Sequence, residues 1–410
     1  MISSSQIVFG SSMVLGSVFW VEIVRDVYHA LAHVWQPLYR LHVWHHKVFR
    51  RDLTVMSEEI YQKAHWYNDV PEALVMLGFG LFFWVALCLL QVNGAWLGLA
   101  GCLYTLSFMG AAIARGLGVP YAHELTDLTH QPGDFEELPG DWLVNRPYHW
   151  RHHFDNQEAY YCGTFTLVDK VMGTALSLKG KRVGVTGASG ALGQALLKEL
   201  HQTGAKAIAL TSQPQTIELD IAGQTVPLKT ITWQLGHEAA LLEDLRKIDI
   251  LVLNHGINVH GDRTPEAIHK SYEINTFSQQ RLIELFLSTI ETNQDRVRKE
   301  IWVNTSEAEV NPAVSPLYEL SKRALGDLIT LQRLDARIVI RKLILGPFKS
   351  ALNPVGIMSA DWVAKRIVGS AKRDFRNIIV TINPLTYLLF PIKEFCVANY
   401  FRLFSRGKAS

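Results

Sequence analysis

His149-Trp150-Arg151-His152-His153 closes a series of three histidine clusters that decides how the first half of this chain folds. The earlier two are His29-Ala-Leu-Ala-His33 and His42-Val-Trp-His45-His46. Neutral imidazole is the commonest protein metal ligand near neutral pH. One pair of histidines four apart on an apolar helix is ordinarily a packing feature. Three clusters, two of them with the same HxxHH spacing, read as one site holding two metal ions.

The rest of the composition agrees. Of the 16 histidines among 410 residues, 11 lie before residue 160. The length suits two domains. A formal net charge of +2 implies no polyanion, and so no nucleic-acid partner. Cys88, Cys102, Cys162 and Cys396 show no CxxC spacing. They suggest neither a disulfide framework nor a thiolate metal site, and a reducing compartment is expected. No charged n-region with a small-residue cleavage site precedes the first apolar run, so no cleaved leader is expected.

Mean hydropathy is +0.09, and the excess is concentrated in a few runs. Residues 7–24 are apolar except for Glu22, long enough to span a bilayer, and are followed by Arg25, Arg40, Lys47, Arg50 and Arg51. The positive-inside tendency puts 25–72 on the cytoplasmic side. Residues 73–91 and 95–114 form two more apolar runs around Val92-Asn93-Gly94, a turn signal, and read as a transmembrane hairpin. This multi-pass topology leaves all three histidine clusters, and the C-terminal half, on the cytoplasmic face. The clusters can therefore converge.

His29 and His33 share a helix face, as do His42 and one of His45 or His46; the same holds for His149, His152 and His153. His65, His123 and His130 lie between the clusters, with Asp26, Glu124, Asp127 and Asp155 as candidate ligands or supporting acceptors. Nitrogen ligands suit Zn, Cu or non-haem Fe, not Mg or Ca. A zinc hydrolase needs only three or four ligands. So many histidines argue for a dinuclear site, and a position beside lipid favours iron-dependent oxygen chemistry.

Residues from about 20 to 176 resemble the membrane fatty acid hydroxylase/sterol desaturase family. Its HxxxH, HxxHH and HxxHH motifs match His29/His33, His42/His45/His46 and His149/His152/His153. Its closing pattern is similar to Tyr161-Cys162-Gly163, Val168-Asp169 and Gly173-Thr174, and His65 and His123 stand where the family often carries extra histidines. Ala30 after His29 and Val168 before Asp169 depart from it. The resemblance implies two Fe ions, held by these ten histidines, that use O2 to hydroxylate or desaturate a lipid.

Composition changes near residue 178. Gly187-Ala-Ser189-Gly190-Ala-Leu-Gly193 follows a strand-like Arg182–Thr186 and precedes a helix-like 194–201. A strand, a glycine turn and a helix N-terminus cradle a pyrophosphate, because glycine allows the backbone to approach and free N–H groups meet the anion. Ala207–Ser212 and Ile248–Leu253 read as further buried strands, the latter ending in Asn254-His255-Gly256. Trp302–Ser306 reads as another, followed by Tyr318-Glu-Leu-Ser-Lys322. Tyr and Lys four apart on a helix share a face, where an ammonium can lower the phenol pKa for acid–base work. Ser306 would then hydrogen-bond a substrate oxygen.

Residues from about 180 to 370 resemble the short-chain dehydrogenase/reductase family. Gly187, Gly190 and Gly193 match its TGxxGxxG variant, with Ser189 inside the same turn. Asn254 and Gly256 match its Asn-Asn-Ala-Gly stretch, although Leu253 and His255 replace two members. Ser306, Tyr318 and Lys322 match the catalytic triad, and Asn275 a fourth member. This implies a doubly wound α/β Rossmann sheet and hydride transfer between a nicotinamide and an alcohol or carbonyl. Thr211-Ser212-Gln213 offer no acid to the NAD ribose, which leans toward NADP(H) over NAD(H).

The chain thus divides into a helical membrane domain (1–177), a reductase domain (178–375) and a segment (376–410), its apolar run interrupted by Pro384 and Pro391, that reads equally as a membrane-interfacial anchor of the reductase domain or as a helix docked within it. The whole is similar to cyanobacterial proteins that fuse a sterol desaturase to a short-chain dehydrogenase, and to plant cuticular-wax proteins. It is expected to be a bifunctional oxidoreductase. The metal site would install a lipid hydroxyl or double bond, and the Tyr318 site would interconvert alcohol and carbonyl. Hydride carries two electrons and diiron centres take them singly, so a separate ferredoxin or cytochrome donor is expected. The alternatives are a fatty-aldehyde enzyme of wax or alkane type, a zinc scaffold, and a protein active only as a reductase.

Overall fold

A computed structural model describes residues 4–221 and 223–406, which fall into two compact units, Met1–Ala175 and Leu176–Ser410. In the first unit, α1 (Ser4–Val34) runs on past the expected span and through the first histidine cluster. Trp35 breaks it, extended at φ −111° and ψ 109°, two residues before Pro37. Helix α2 (Gln36–Lys47) then carries the second cluster. Helices α3 (Glu58–Ala64) and α4 (Val70–Leu89) are joined end to end by a π-turn at His65–Asp69. Gly94, at φ +76°, turns the chain into α5 (Ala100–Gly116). Three helices, Ser4–Val34, Glu58–Leu89 and Ala95–Gly116, are long and apolar enough to cross a membrane. A small residue lets α1 and α5 touch: a Cβ on Gly101 would stand 2.5 Å from the Ser17 carbonyl oxygen, and the Gly101 N–H donates to Ser17 Oγ at 3.0 Å.

The third cluster is placed by α6 (Arg146–Phe154). Asn145 caps it by accepting from the Tyr148 N–H at 3.1 Å, and Pro147 fits the first turn, where no N–H is needed. Behind it, the buried Asp169 carboxylate accepts from the N–H groups of Tyr161 and Cys162 and from the hydroxyls of Tyr148 and Thr174, at 2.6–3.0 Å. This pins the segment that leaves α6. Gly163 is required there, since a Cβ would collide with the Arg25 guanidinium.

The second unit is a seven-stranded parallel sheet in the order β5-β2-β1-β6-β7-β8-β9, the doubly wound arrangement the sequence implies. Its strands are β1 (Arg182–Thr186), β2 (Lys206–Thr211), β5 (Lys229–Thr232), β6 (Ile250–Leu253), β7 (Glu300–Asn304), β8 (Val339–Leu345) and β9 (Asn377–Val380). A separate hairpin pairs β3 (Glu218–Ile221) with β4 (Gln224–Pro227). Two apolar cores cover the two faces, with Val183, Val185, Leu196 and Ile367 in one and Leu251, Leu253, Leu282 and Ile329 in the other. Near-continuous apolar strands are what burial on both faces demands. Around the sheet lie α7 (Ala191–Gln202), α8 (Pro265–Tyr272), α9 (Ser278–Leu287), α10 (Pro316–Gln332) and α11 (Ala360–Lys372).

The C-terminal segment is part of the second unit. Asn377–Val380 completes the sheet as the edge strand beside β8, and α12 (Pro384–Phe404) packs on α10. The reason is charge. Lys342, fully buried in β8, donates to Glu394 at 2.7 Å, and Arg333, just past the end of α10, reaches the same carboxylate at 3.1 Å. Buried charges are tolerated only when paired, so these residues fasten α12 to its domain.

Candidate active site and metal centre

The first unit gathers nine histidines into two adjacent groups. His29, His33, His42, His46 and His152 form one; His45, His130, His149 and His153 form the other, and within each the ring nitrogens lie within 4.8 Å of one another. Spacing explains the division. In α2, His42 and His46 are four apart and face the first group, while the neighbouring His45 turns to the second. In α6 the roles are reversed, with His149 and His153 in the second group and His152 in the first. Each HxxHH motif therefore serves both groups at once.

The donor set fits metal cations. His42 Nδ1 lies 2.7 Å from Asn68 Oδ1, His152 Nδ1 is 2.8 Å from the Ala159 carbonyl, and His130 Nδ1 is 2.5 Å from Asp127 Oδ1. An oxygen acceptor takes the proton on Nδ1, so each Nε2 presents a bare lone pair. Yet the Nε2 atoms converge. His42 stands 2.9 Å from both His33 and His46, and His29 stands 3.0 Å from His152. In the second group His130 lies 3.0 Å from His149 and 3.1 Å from His153. Imidazole nitrogens converging this closely could together ligate one cation. Burial, reinforced by the neighbouring imidazoles, holds His45, His46, His149, His152 and His153 well below the ordinary histidine range, and burial brings His42 to about 4. All remain neutral and able to ligate near pH 7.

The structure differs from the expected ligand set at three positions. His65 and His123 lie outside both groups, beside the Tyr61 ring at 4.4 and 4.9 Å. His65 Nδ1 is engaged by Asp69 at 2.6 Å. His130 takes a place in the second group instead. Its signal was Asp127, three residues earlier, whose carboxylate orients the ring. Asp69, absent from the expected carboxylates, supports the first group by accepting from Asn68 Nδ2 at 2.8 Å.

In the second unit the glycine turn joins β1 to α7. Gly187 has φ +63°, and a Cβ there would stand 3.0 Å from the His255 backbone. A Cβ on Gly193 would lie 2.2 Å from the Gly187 carbonyl oxygen. The turn therefore closes only with glycine, leaving Ser189, Gly190 and the α7 N-terminus as an anion cradle of the kind a pyrophosphate fits. Thr186 Oγ1 holds the facing loop by accepting from the Asn254 N–H at 2.9 Å. His255, where the family has alanine, turns inward, with Nδ1 2.9 Å from Thr186 Oγ1.

The proposed catalytic residues converge at the far ends of β6 and β7. Burial raises the Tyr318 phenol pKa, and the nearby Ser306 side chain opposes the rise. Lys322, one turn on in α10, donates from Nζ to the Asn304 carbonyl at 2.8 Å. Burial lowers its ammonium to about 7, against the pull of Glu309. Asn275 sits in a second π-turn, Glu273–Phe277, and clamps Ile257 by both its N–H (2.8 Å) and its carbonyl (2.9 Å). A hydroxyl, a phenol and an ammonium aligned along one edge can pass a proton to or from a substrate oxygen.

A short chain dehydrogenase family model matches residues 181–352. Among solved structures, the chain is similar to a short chain dehydrogenase from Burkholderia cenocepacia in complex with NADP (16% identity, 56% of this chain and 100% of that one, TM-score 0.45). It is also similar to one from Sphingobium yanoikuyae in complex with NADPH (16% identity, 56% and 98%, TM-score 0.46). Across both units it is 63% identical over 401 residues to the monoglucosyldiacylglycerol epimerase of Synechocystis sp., covering 97% of this chain and 98% of that one. The chain belongs to the family of that epimerase, and is an oxidoreductase enzyme built on a short chain dehydrogenase domain.

Proposed function

We propose that the second unit inverts one carbinol carbon of the sugar on a glucosyl diacylglycerol. The 63% identity to the Synechocystis epimerase along the whole chain carries this reading, and the Ser306–Tyr318–Lys322 edge supports it. Bound in the Gly187–Gly193 cradle, a nicotinamide dinucleotide, NADP(H) in preference to NAD(H), supplies a reversible hydride acceptor. Tyr318 would take up the proton of the substrate hydroxyl and return it to the same oxygen, so that the proton stays at the site through the cycle. Ser306 holds the oxygen throughout, and the Lys322 cation favours the phenolate. A sugar and its epimer are at the same oxidation level, so the cycle needs no external electrons. The test is conversion of labelled monoglucosyldiacylglycerol by the purified chain with catalytic nucleotide. Release of one reduced nucleotide per product would instead indicate simple dehydrogenation.

The histidine groups support a second reading for the first unit: two Fe ions using O2 and a ferredoxin or cytochrome donor to hydroxylate or desaturate a lipid, on the cytoplasmic side of the membrane. Two adjacent, all-nitrogen groups whose ring nitrogens converge favour it. Here the chain's own residues bind and orient: Asp127 and Asn68 fix ring tautomers and burial keeps the imidazoles neutral. Stoichiometric iron with O2 uptake on lipid addition supports it. Stoichiometric zinc with no uptake refutes it.

A further inference from the structure

Helix α12 is inside out for a protein surrounded by water. The charged residues at its centre point inward: Lys393 pairs with Glu309 at 2.7 Å and Asp327 at 2.6 Å, and Glu394 meets Lys342 and Arg333. Its large apolar residues point outward at helical spacing. Leu385, Leu388, Ile392, Phe395 and Leu403 are 54–77% exposed. A surface helix in water shows the opposite pattern. The inner face is held by paired charges and by the fully buried Phe390, so the outer face is rigid. Exposed basic groups, Arg402 and Arg406, gather at the C-terminal end.

We propose that this outer face lies in the headgroup–acyl boundary of a bilayer. An apolar stripe with aromatic residues, closed by cations that suit anionic headgroups, is the chemistry of an interfacial helix. The same chain carries three helices of spanning length, so a bilayer is at hand. The helix also adjoins the catalytic edge. Thr386 accepts from Asn311 Nδ2 at 2.8 Å and donates to Glu307 at 3.2 Å, and Glu307 follows Ser306 directly. On the glycolipid reading above, on which this part rests, the docked face lets the sugar reach Ser306 and Tyr318 while the acyl chains stay in the membrane.

The full chain provides its own probe, because Cys396 is exposed on α12. A C88S variant labelled at Cys396 with bimane is reconstituted into vesicles of phosphatidylcholine and phosphatidylglycerol. The expected result is quenching by 5-doxyl lipid, less by 12-doxyl lipid, and little by aqueous iodide. Quenching by iodide alone overturns the proposal. Quenching by neither also overturns it, and indicates a second protein surface; stronger quenching by 12-doxyl lipid replaces it with a spanning helix. L388E with I392E is expected to raise KM for bilayer-embedded glycolipid about tenfold with kcat kept, and to leave a short-chain soluble glycoside unaffected. An unchanged KM overturns the entry role. If the glycolipid reading itself is wrong, the unaltered chain turns over neither glycoside while the quenching result stands.

Discussion

Lys322 is buried beside Tyr318, and burial gives it a pH signature. Its ammonium falls from an ordinary 10.5 to about 7, so between those values the folded chain binds fewer protons than the unfolded one. Stability therefore rises with pH across that window. Replacing Lys322 with Met should raise the melting temperature most below pH 7, with the advantage fading toward pH 10, as thermal scans at several pH values will show. Tyr318→Phe removes the proton carrier and should lower kcat by about a thousandfold while NADPH binding, followed by fluorescence titration, is kept. In the other unit, Asp127→Asn no longer fixes the His130 tautomer. It should weaken binding of one metal ion by about 10- to 100-fold, measured by competition with a chelator. His130 itself shows a limit of pattern reading. Its partner Asp127 was visible three residues away, but no spacing rule distinguishes it from His123, and the choice depends on how the loop after α5 folds back.

Elements with strong local rules were the most legible. The β1–turn–α7 unit lies where the glycines put it, because Gly193 has no room for a Cβ. Gly193→Ala should lower NADPH affinity by at least about tenfold and destabilise the second unit by about 1–3 kcal/mol, readable by titration and by thermal scans. The three long apolar helices were equally visible from length. The end of the chain was harder. Asn377–Val380 is too short to announce itself as a strand, and it takes its place only because β8 offers an unpaired edge. The inward charges of α12 read as a polar interruption until Lys342 and Glu309, dozens of residues earlier, were seen beside them. Both π-turns, at His65–Asp69 and Glu273–Phe277, were invisible in the pattern; each inserts an extra residue that aims a functional side chain.

At the scale of the whole molecule, the two proposed chemistries would share one chain without sharing a cofactor. Sugar inversion at the Tyr318 edge returns every electron it removes, so turnover should continue in oxygen-free buffer at an unchanged rate. A requirement for O2 in that assay would tie the reaction to the histidine groups. Stripping metal with a chelator should lower the melting of the first unit and leave NADPH titration of the second unaltered.

The alternating allegiance of His45 and His46, repeated at His152 and His153, has a consequence for loading. If the groups hold ions as proposed, whichever ion arrives first would fix the rotation of both α2 and α6 about their axes. The ordering needed for the second ion is then already complete. Uptake should be sigmoidal, with singly loaded chains scarce at every stage of a titration, and native mass spectra should show mainly empty and doubly filled protein.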